Sequence, residues 1–110
     1  IELVVKDLQP GATTLLVSYG ITAGGMREAV TQARAAGRVV SALTVQSLWP
    51  VPERAIREAF AGITRIVVAE LNHGQYRREI ERLARDIEVV GLHRVDGELI
   101  APESFLEAVR

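Results

Sequence analysis

The feature that most constrains this chain is the alternation of continuous apolar runs with segments of helical periodicity. The runs are rich in β-branched residues and lie at residues 13–18, 39–45, 65–71 and 87–92. An apolar run without polar alternation is typical of a strand that is buried on both faces of a sheet. Because helical segments separate the runs, the pattern predicts a parallel sheet with helices packed on both faces.

The helical segments are recognised by the spacing of their apolar residues. Met26, Ala29, Val30 and Ala33 follow the i, i+3, i+4, i+7 pattern of one helical face, and Gly37 follows as a natural helix end. Similar stripes precede residue 62, follow residue 75 and follow residue 102. A short apolar run at residues 1–5 is predicted to form a separate first strand, so the chain should hold five strands and four helices.

The composition suits one globular domain covering residues 1–110, since 48% of the residues are hydrophobic and 25% are charged. Thirteen Lys and Arg against fourteen Asp and Glu leave a formal net charge of −1. This balance argues against nucleic acid as a partner, because neutralising phosphates takes an excess of positive charge. The chain has no Cys, so disulfides and thiolate metal sites are excluded.

No apolar run approaches the roughly 20 residues that a membrane-spanning helix requires. The chain begins with Ile1 rather than Met, and no signal-peptide pattern follows. We therefore expect no membrane partner, a cytoplasmic location, and a fragment or processed piece of a longer protein.

A loop of small residues at 18–25 joins the second strand to the first helix and contains Tyr19, Gly20 and Thr22. Backbone N–H groups at a helix N-terminus can bind an anion, and ligands of open α/β sheets favour this edge. Alternatively, the glycines only permit a turn and close packing of the helix against the strand. The loop matches neither the GxGxxG pattern nor the P-loop, which favours the packing interpretation.

The most polar cluster lies at the end of the predicted fourth strand and contains Glu70, Asn72, His73, Gly74 and Gln75. Glu70 is a candidate for a buried carboxylate or for an acceptor of backbone N–H groups from a neighbouring loop. Asn72 and Gly74 are candidate caps for the third helix. His73 titrates near neutral pH and is a candidate general base, but no partner is placed beside it, so we expect a surface or interface residue.

The connector after the third strand, residues 46–52, places Trp49 between Leu48 and Pro50. Trp49 either anchors an interface, where Trp is enriched, or locks the connector onto the edge of the sheet. No nucleophile–base pair and no GxSxG motif are visible, and the two His have no metal-ligand spacing. We therefore expect neither a catalytic nor a metal-binding residue in this chain.

Three segments together resemble a known family. They are Leu-Val-Ser-Tyr-Gly at residues 16–20, Ser-Leu-Trp-Pro-Val-Pro at 47–52, and Val-Val-Ala-Glu-Leu-Asn-His-Gly-Gln at 67–75. Over nearly the whole chain the pattern is similar to the C-terminal domain of transketolase-like thiamine diphosphate enzymes. The Leu-Trp-Pro-x-Pro and Glu-x-Asn-x-Gly-Gln motifs favour the branch formed by the alpha subunit of 2-oxoacid:ferredoxin oxidoreductases.

The resemblance implies a three-layer α/β/α fold with a five-stranded mixed sheet of order 1-3-2-4-5, in which strand 1 is antiparallel. It also implies the reaction of the whole enzyme. A 2-oxoacid is oxidatively decarboxylated at thiamine diphosphate, coenzyme A takes the acyl group, and iron–sulfur clusters pass the electrons to ferredoxin. Thiamine diphosphate, Mg²⁺ and the clusters are expected in other domains and subunits, with none of them bound by this domain alone.

The resemblance therefore predicts an accessory domain that docks against the remaining domains of the alpha subunit and against the beta subunit. An isolated fragment should then expose a patch meant for a partner. We expect that patch to include Tyr19, Trp49 or the loop from Asn72 to Gln75. The identity of the 2-oxoacid, contact with coenzyme A and a homodimer of the fragment stay open.

Two other interpretations stay open as well. One is a free-standing module that binds phosphate or a nucleotide through residues 20–25 and 72–75. The other is the same domain in a 2-oxoacid dehydrogenase beta subunit or a transketolase, against which the Asn-x-Gly-Gln turn at residues 72–75 argues.

Overall fold

The computed structural model describes residues 3–71, 75–93 and 100–109. Strands and helices alternate along this part of the chain in the predicted order. They are β1 (Val4–Asp7), β2 (Thr14–Tyr19), α1 (Thr22–Ala35), β3 (Ser41–Val45), α2 (Glu53–Glu58), β4 (Arg65–Glu70), α3 (Gln75–Leu83), β5 (Glu88–His93) and α4 (Pro102–Ala108).

The strands form one mixed sheet of order β1-β3-β2-β4-β5. Strands β2, β3, β4 and β5 run parallel to one another, whereas β1 pairs with β3 in the antiparallel direction. The strand order and direction implied by the family resemblance are thus confirmed. The carboxyl ends of the parallel strands meet at one end of the sheet, so Tyr19, Val45 and Glu70 lie there. This end is called here the carboxyl edge, as distinct from the outermost strands.

Each face of the sheet carries its own hydrophobic core. Helices α2 and α3 cover one face, where Ile56 and Tyr76 share a cluster with Val17 of β2. Helices α1 and α4 cover the other face, where Phe105 shares a cluster with Leu16. Leu16 and Val17 are consecutive and both buried, because neighbouring strand residues point to opposite faces. This is why Leu15, Leu16 and Val17 form a continuous apolar stretch in β2.

The described part of β1 does not match the apolar run at residues 1–5, since the strand covers Val4–Asp7 and residues 1–2 lie outside the described ranges. Its charged residues are held from both helix layers. Lys6 Nζ lies 3.1 Å from Glu58 of α2, and Asp7 lies 2.9 Å from Arg34 of α1. An edge strand tolerates such charged residues. The apolar run therefore predicted the end of β1 at residue 5, two residues before its observed end at Asp7.

Strand β3 begins at Ser41 rather than at residue 39, because side chains bind the backbone that precedes it. The Val40 N–H donates to Gln9 Oε1 at 3.1 Å, and Arg34 donates to the Val40 carbonyl at 2.9 Å. Arg34 also donates to Gln9 Oε1 at 3.1 Å. One guanidinium group therefore joins α1 to the turns before β2 and β3, and Val40 has no place in the strand ladder.

Helix α1 ends as the sequence predicts. Gly37 has a φ of +84°, its N–H donates to the Arg34 carbonyl at 3.0 Å, and the Arg38 N–H donates to the Ala33 carbonyl at 2.9 Å. These two bonds form a Schellman motif, for which glycine is the favoured residue. Helix α2 ends at Glu58, earlier than the predicted stop at residue 62, because residues 59–62 form turns instead.

Candidate functional site

Glu70 ends β4 and lies buried at the carboxyl edge, only 1% exposed. Its Oε1 accepts the Tyr76 N–H at 3.1 Å and the Tyr19 hydroxyl at 2.8 Å, while Oε2 accepts the Arg77 N–H at 3.0 Å. Both N–H groups belong to the first turn of α3, where a helix has unpaired donors and partial positive charge. Glu70 is thus both a buried carboxylate and an acceptor of N–H groups. These two N–H donors come from a helix rather than from a neighbouring loop.

Tyr19, Trp49 and Tyr76 form a group of rings beside Glu70, called here the aromatic cluster. The Tyr19 and Tyr76 ring centroids are 5.7 Å apart with planes at 62°, and those of Trp49 and Tyr76 are 5.8 Å apart at 74°. Such edge-to-face contacts are favourable. Tyr76 is 2% exposed and Trp49 is 60% exposed, so the Tyr76 ring is the buried support of a largely exposed Trp49. Trp49 therefore contacts the edge and also remains available to a partner.

The phenol of Tyr76 is not suited to proton transfer. Burial, with a smaller contribution from the Glu79 carboxylate, raises the pKa of Tyr76 to about 12. Its Oη has no hydrogen-bond partner among the described residues. The hydroxyl therefore stays protonated near neutral pH, and what Tyr76 contributes to the edge is its ring.

The loop after β2 is a tight turn rather than an open cradle. Gly20 has a φ of +60°, a conformation that side chains disfavour, and its carbonyl accepts the Ala23 N–H at 3.1 Å. Thr22 begins α1 and is 4% exposed. These contacts favour the packing interpretation of the glycine-rich loop.

Gly25 is the glycine whose small size matters most in this loop. A Cβ at Gly25 would lie 2.8 Å from the Ile100 carbonyl oxygen and 3.5 Å from the Phe105 ring. Close packing was predicted between α1 and a strand. The contact instead joins α1 to the segment that leads into α4, because α1 and α4 cover the same face of the sheet.

Replacing Gly25 with alanine is expected to lower the free energy of unfolding by about 1–3 kcal/mol, because backbone must move to admit the methyl group. Gly24 is the matched control. It lies in the same helix with nothing within 4 Å of its position for a Cβ, so Gly24→Ala should raise stability by about 1 kcal/mol. Urea unfolding of both variants measures the difference, and changes of the same sign at the two positions would contradict this account.

The N-termini of α1 and α3 at the carboxyl edge are used by groups of the chain itself. At α1 the N–H groups of Ala23 and Gly24 donate to the Gly20 and Ile21 carbonyls at 3.1 and 3.3 Å. At α3 the Glu70 carboxylate already accepts the first N–H groups, and it would repel a second anion. The described residues therefore give the phosphate-binding interpretation no support.

Among the described residues, the two most exposed large apolar side chains lie at the carboxyl edge: Ile21, at 69%, and Trp49, at 60%; they are called here the exposed apolar pair. Ile21 follows β2 and Trp49 follows β3, and these two strands are neighbours in the sheet. Ile21 was not predicted as a site residue, because the glycines are the more conspicuous pattern of this loop. The signal was an apolar residue placed between Gly20 and Thr22 in a turn.

Three of the predicted site residues, Asn72, His73 and Gly74, lie outside the described residues. Their capping, binding and general-base roles stay predictions. Gln75 is the first residue of α3 and is exposed. The α3 N-terminus is held, as far as the described ranges show, by Glu70 from the preceding strand.

Within the described ranges no group of three His, Asp or Glu side chains comes together as a metal site would require. In the same part of the chain, every helix is too short or too polar to cross a membrane.

The chain matches a family model described as pyruvate:ferredoxin oxidoreductase core domain II over residues 12–105. It is 38% identical over 111 residues to the ketoisovalerate oxidoreductase subunit VorB of Methanothermobacter thermautotrophicus, covering 99% of this chain and 30% of that protein. It is 32% identical over 110 residues to the 2-oxoglutarate synthase subunit KorA of Methanothermobacter marburgensis, covering 96% of this chain and 29% of that protein. The chain thus spans about three tenths of the length of these curated relatives.

Solved structures share the fold. A 2-oxoglutarate:ferredoxin oxidoreductase from Magnetococcus marinus, with 2-oxoglutarate, coenzyme A and succinyl-CoA bound, superposes with a TM-score of 0.86 at 23% identity, over 99% of this chain and 19% of that chain. A split-gene transketolase, an inactive beta4 tetramer, superposes with a TM-score of 0.76 at 21% identity, over 96% of this chain and 40% of that chain.

The sheet order, with β1 antiparallel at one edge, places the molecule in the class of transketolase C-terminal-like α/β domains. The family match over most of the chain is more specific: the chain belongs to the pyruvate:ferredoxin oxidoreductase core domain II family. The curated relatives are subunits of 2-oxoacid oxidoreductases.

Proposed function

We propose that this chain is an accessory domain of the alpha subunit of a 2-oxoacid:ferredoxin oxidoreductase, and that its carboxyl edge docks against the rest of that enzyme. The observation that carries the proposal is the exposed apolar pair of Ile21 and Trp49. It lies on an edge whose buried carboxylate, Glu70, is fully engaged inside the domain. Such an edge gains free energy when its apolar area is covered, and the residues described there include no group that would attack a substrate.

The length of the relatives supports this role. Because the chain spans 29–30% of VorB and KorA, we propose that residues 1–110 form one domain of a longer alpha subunit. The remaining domains of that subunit and the beta subunit are then its partners, and ferredoxin meets the whole enzyme. The exposed apolar pair also gives the isolated chain a surface for homodimer formation. A cytoplasmic location is part of the same proposal.

The proposed whole enzyme uses thiamine diphosphate, Mg²⁺ and iron–sulfur clusters, with coenzyme A as co-substrate. The described residues do not fit the first three groups. Glu70 stands where the N-terminus of α3 would receive a diphosphate, no acidic cluster in the described part suits Mg²⁺, and the chain has no Cys for a cluster. We assign these groups to other parts of the enzyme and derive no reaction step from this domain.

The proposal is tested by replacing Trp49 with alanine in the full-length alpha subunit. The substitution is expected to weaken association with the beta subunit about thirtyfold, because truncating an interface hot-spot Trp costs about 2 kcal/mol or more. Val39→Ala is the matched control, since Val39 is an apolar residue of 47% exposure that precedes β3 at the opposite end of the sheet. Analytical ultracentrifugation measures the association of the two subunits. Urea unfolding of the 110-residue chain measures its free energy of unfolding.

Weaker association with Trp49→Ala alone, at unchanged unfolding free energy, supports the docking surface. A parallel loss of association and stability would make Trp49 a part of the core. Association as strong as that of the Val39→Ala control would show that the carboxyl edge is not where the domain docks.

A further inference from the structure

Glu70 holds together the groups that support the docking surface. We infer that Glu70 is the positioning residue of this surface: its carboxylate sets the relative placement of Tyr19 and Tyr76, and through Tyr76 the orientation of Trp49. The inference rests on the proposed function and deepens it, since it names the buried group on which docking through Trp49 depends.

Tyr19 and Tyr76 share one acceptor oxygen atom of Glu70. Glu70 Oε1 accepts the Tyr19 hydroxyl at 2.8 Å and the Tyr76 N–H at 3.1 Å. Tyr19 ends β2 and Tyr76 lies in the first turn of α3, so this atom joins a strand end to a helix start. A charged acceptor makes stronger hydrogen bonds than a neutral one, which makes the junction stiff.

Tyr76 links Tyr19 to Trp49 through ring contacts. The Tyr76 ring touches Tyr19 on one side and Trp49 on another, with centroid distances of 5.7 and 5.8 Å. Trp49 is 60% exposed, so much of its ring meets solvent rather than protein. Its orientation therefore depends on its inner contact with Tyr76, and Tyr76 cannot shift without α3, whose first turn Glu70 holds.

The competing explanation is that Glu70 acts only as a helix cap, and it makes a different prediction. A cap would change stability and leave Trp49 and its docking unaffected in the folded protein. Tyr19→Phe separates the two, because it removes one hydroxyl and keeps every ring. Glu70→Gln keeps the shape of the side chain and removes its charge.

Ser18→Ala is the matched control for these variants. Ser18 is fully buried, precedes Tyr19 in β2, and donates to the Ala69 carbonyl at 3.1 Å. The control therefore removes a buried hydrogen bond between the same two strands without touching the aromatic cluster.

The experiment uses the fact that Trp49 is the only Trp in the chain. Fluorescence anisotropy of the 110-residue chain should report a more mobile Trp49 in Tyr19→Phe and Glu70→Gln, and no change in Ser18→Ala. In the full-length alpha subunit, the first two variants should weaken association with the beta subunit roughly three- to tenfold. Ser18→Ala should associate like the unmodified protein.

Unchanged anisotropy and association in Tyr19→Phe would overturn the inference, even if Glu70→Gln fails to fold. If Trp49→Ala weakens association whereas Tyr19→Phe and Glu70→Gln do not, the docking function stands and the positioning role falls. If Trp49→Ala leaves association unchanged, the docking function falls; in that case a changed anisotropy in Tyr19→Phe still supports the positioning of Trp49.

Discussion

Replacing Glu70 with alanine is expected to lower the free energy of unfolding by about 3 kcal/mol. The change leaves the Tyr76 N–H, the Arg77 N–H and the Tyr19 hydroxyl without the acceptor that they now share. A hydrogen bond to a charged group contributes roughly 1.5–3 kcal/mol, and water entering the vacated space offsets part of the sum. Urea unfolding followed by far-UV circular dichroism measures the loss.

The control for this prediction is Glu79→Ala on the same helix. Glu79 pairs with Arg82 at 3.0 Å on the surface, and a solvent-screened surface ion pair contributes little to stability. Glu70→Gln should fall between the two, because the amide keeps one acceptor oxygen. A Glu70→Ala variant as stable as Glu79→Ala would mean that the capping of α3 contributes little to the fold.

Raising the pH from 10 to 12 is expected to destabilise the folded chain by about 2 kcal/mol through Tyr76. Its pKa is about 12 in the folded chain, above the ordinary value of 10.0. The contribution to stability is therefore fully present below pH 10 and is lost as the pH rises through 12, because the unfolded phenol releases its proton at lower pH than the folded one. Urea unfolding at a series of pH values measures the slope.

The Tyr76→Phe variant isolates this effect. It should lack the part of the alkaline loss that comes from this phenol. At neutral pH it should be at least as stable as the unmodified chain, because Tyr76 Oη has no partner among the described residues. An ultraviolet titration of the two Tyr should show one of them deprotonating near pH 12. Parallel alkaline loss in both proteins would assign the effect to other groups.

The carboxyl edge shows how one fold can serve either binding or assembly. Ligands of open α/β sheets favour this edge, partly because helix N-termini attract anions there. Here Glu70 occupies the N-terminus of α3 and a tight turn closes that of α1. With those donors engaged, exposed apolar side chains are the main feature that the described part of this edge offers to the proposed partner.

The parts of the fold that were predicted best are those set by local pattern. The strand expected at residues 13–18 is found at Thr14–Tyr19, and the one expected at 65–71 is found at Arg65–Glu70. Both are buried on two faces, so each holds a continuous apolar stretch, at residues 15–17 in β2 and 66–69 in β4. The end of β1 and the start of β3 were misplaced, because pairing between β1 and β3 and side-chain bonds from Gln9 and Arg34 decide them.

The candidate site was predicted as separate residues and not as an arrangement. Tyr19, Trp49 and Glu70 were singled out at or after the ends of predicted strands, whereas Tyr76 was not singled out and belonged only to the apolar stripe expected after residue 75. No local signal shows that Tyr76 touches both other rings and that its N–H binds Glu70. Ile21 was missed because a single apolar residue in a turn has no period to reveal it.

The sequence by itself determined the α/β class, the alternation of elements and the family. These properties depend on the spacing of apolar residues and on short motifs, which act between neighbours in the chain. Only the tertiary structure decided that residues 19, 49, 70 and 76 meet. Their contact depends on β2 lying between β3 and β4, so that loops distant in sequence end at one edge. The hydrogen bonds of Glu70 and the ring contacts of Tyr76 form only once this strand order brings the loops together.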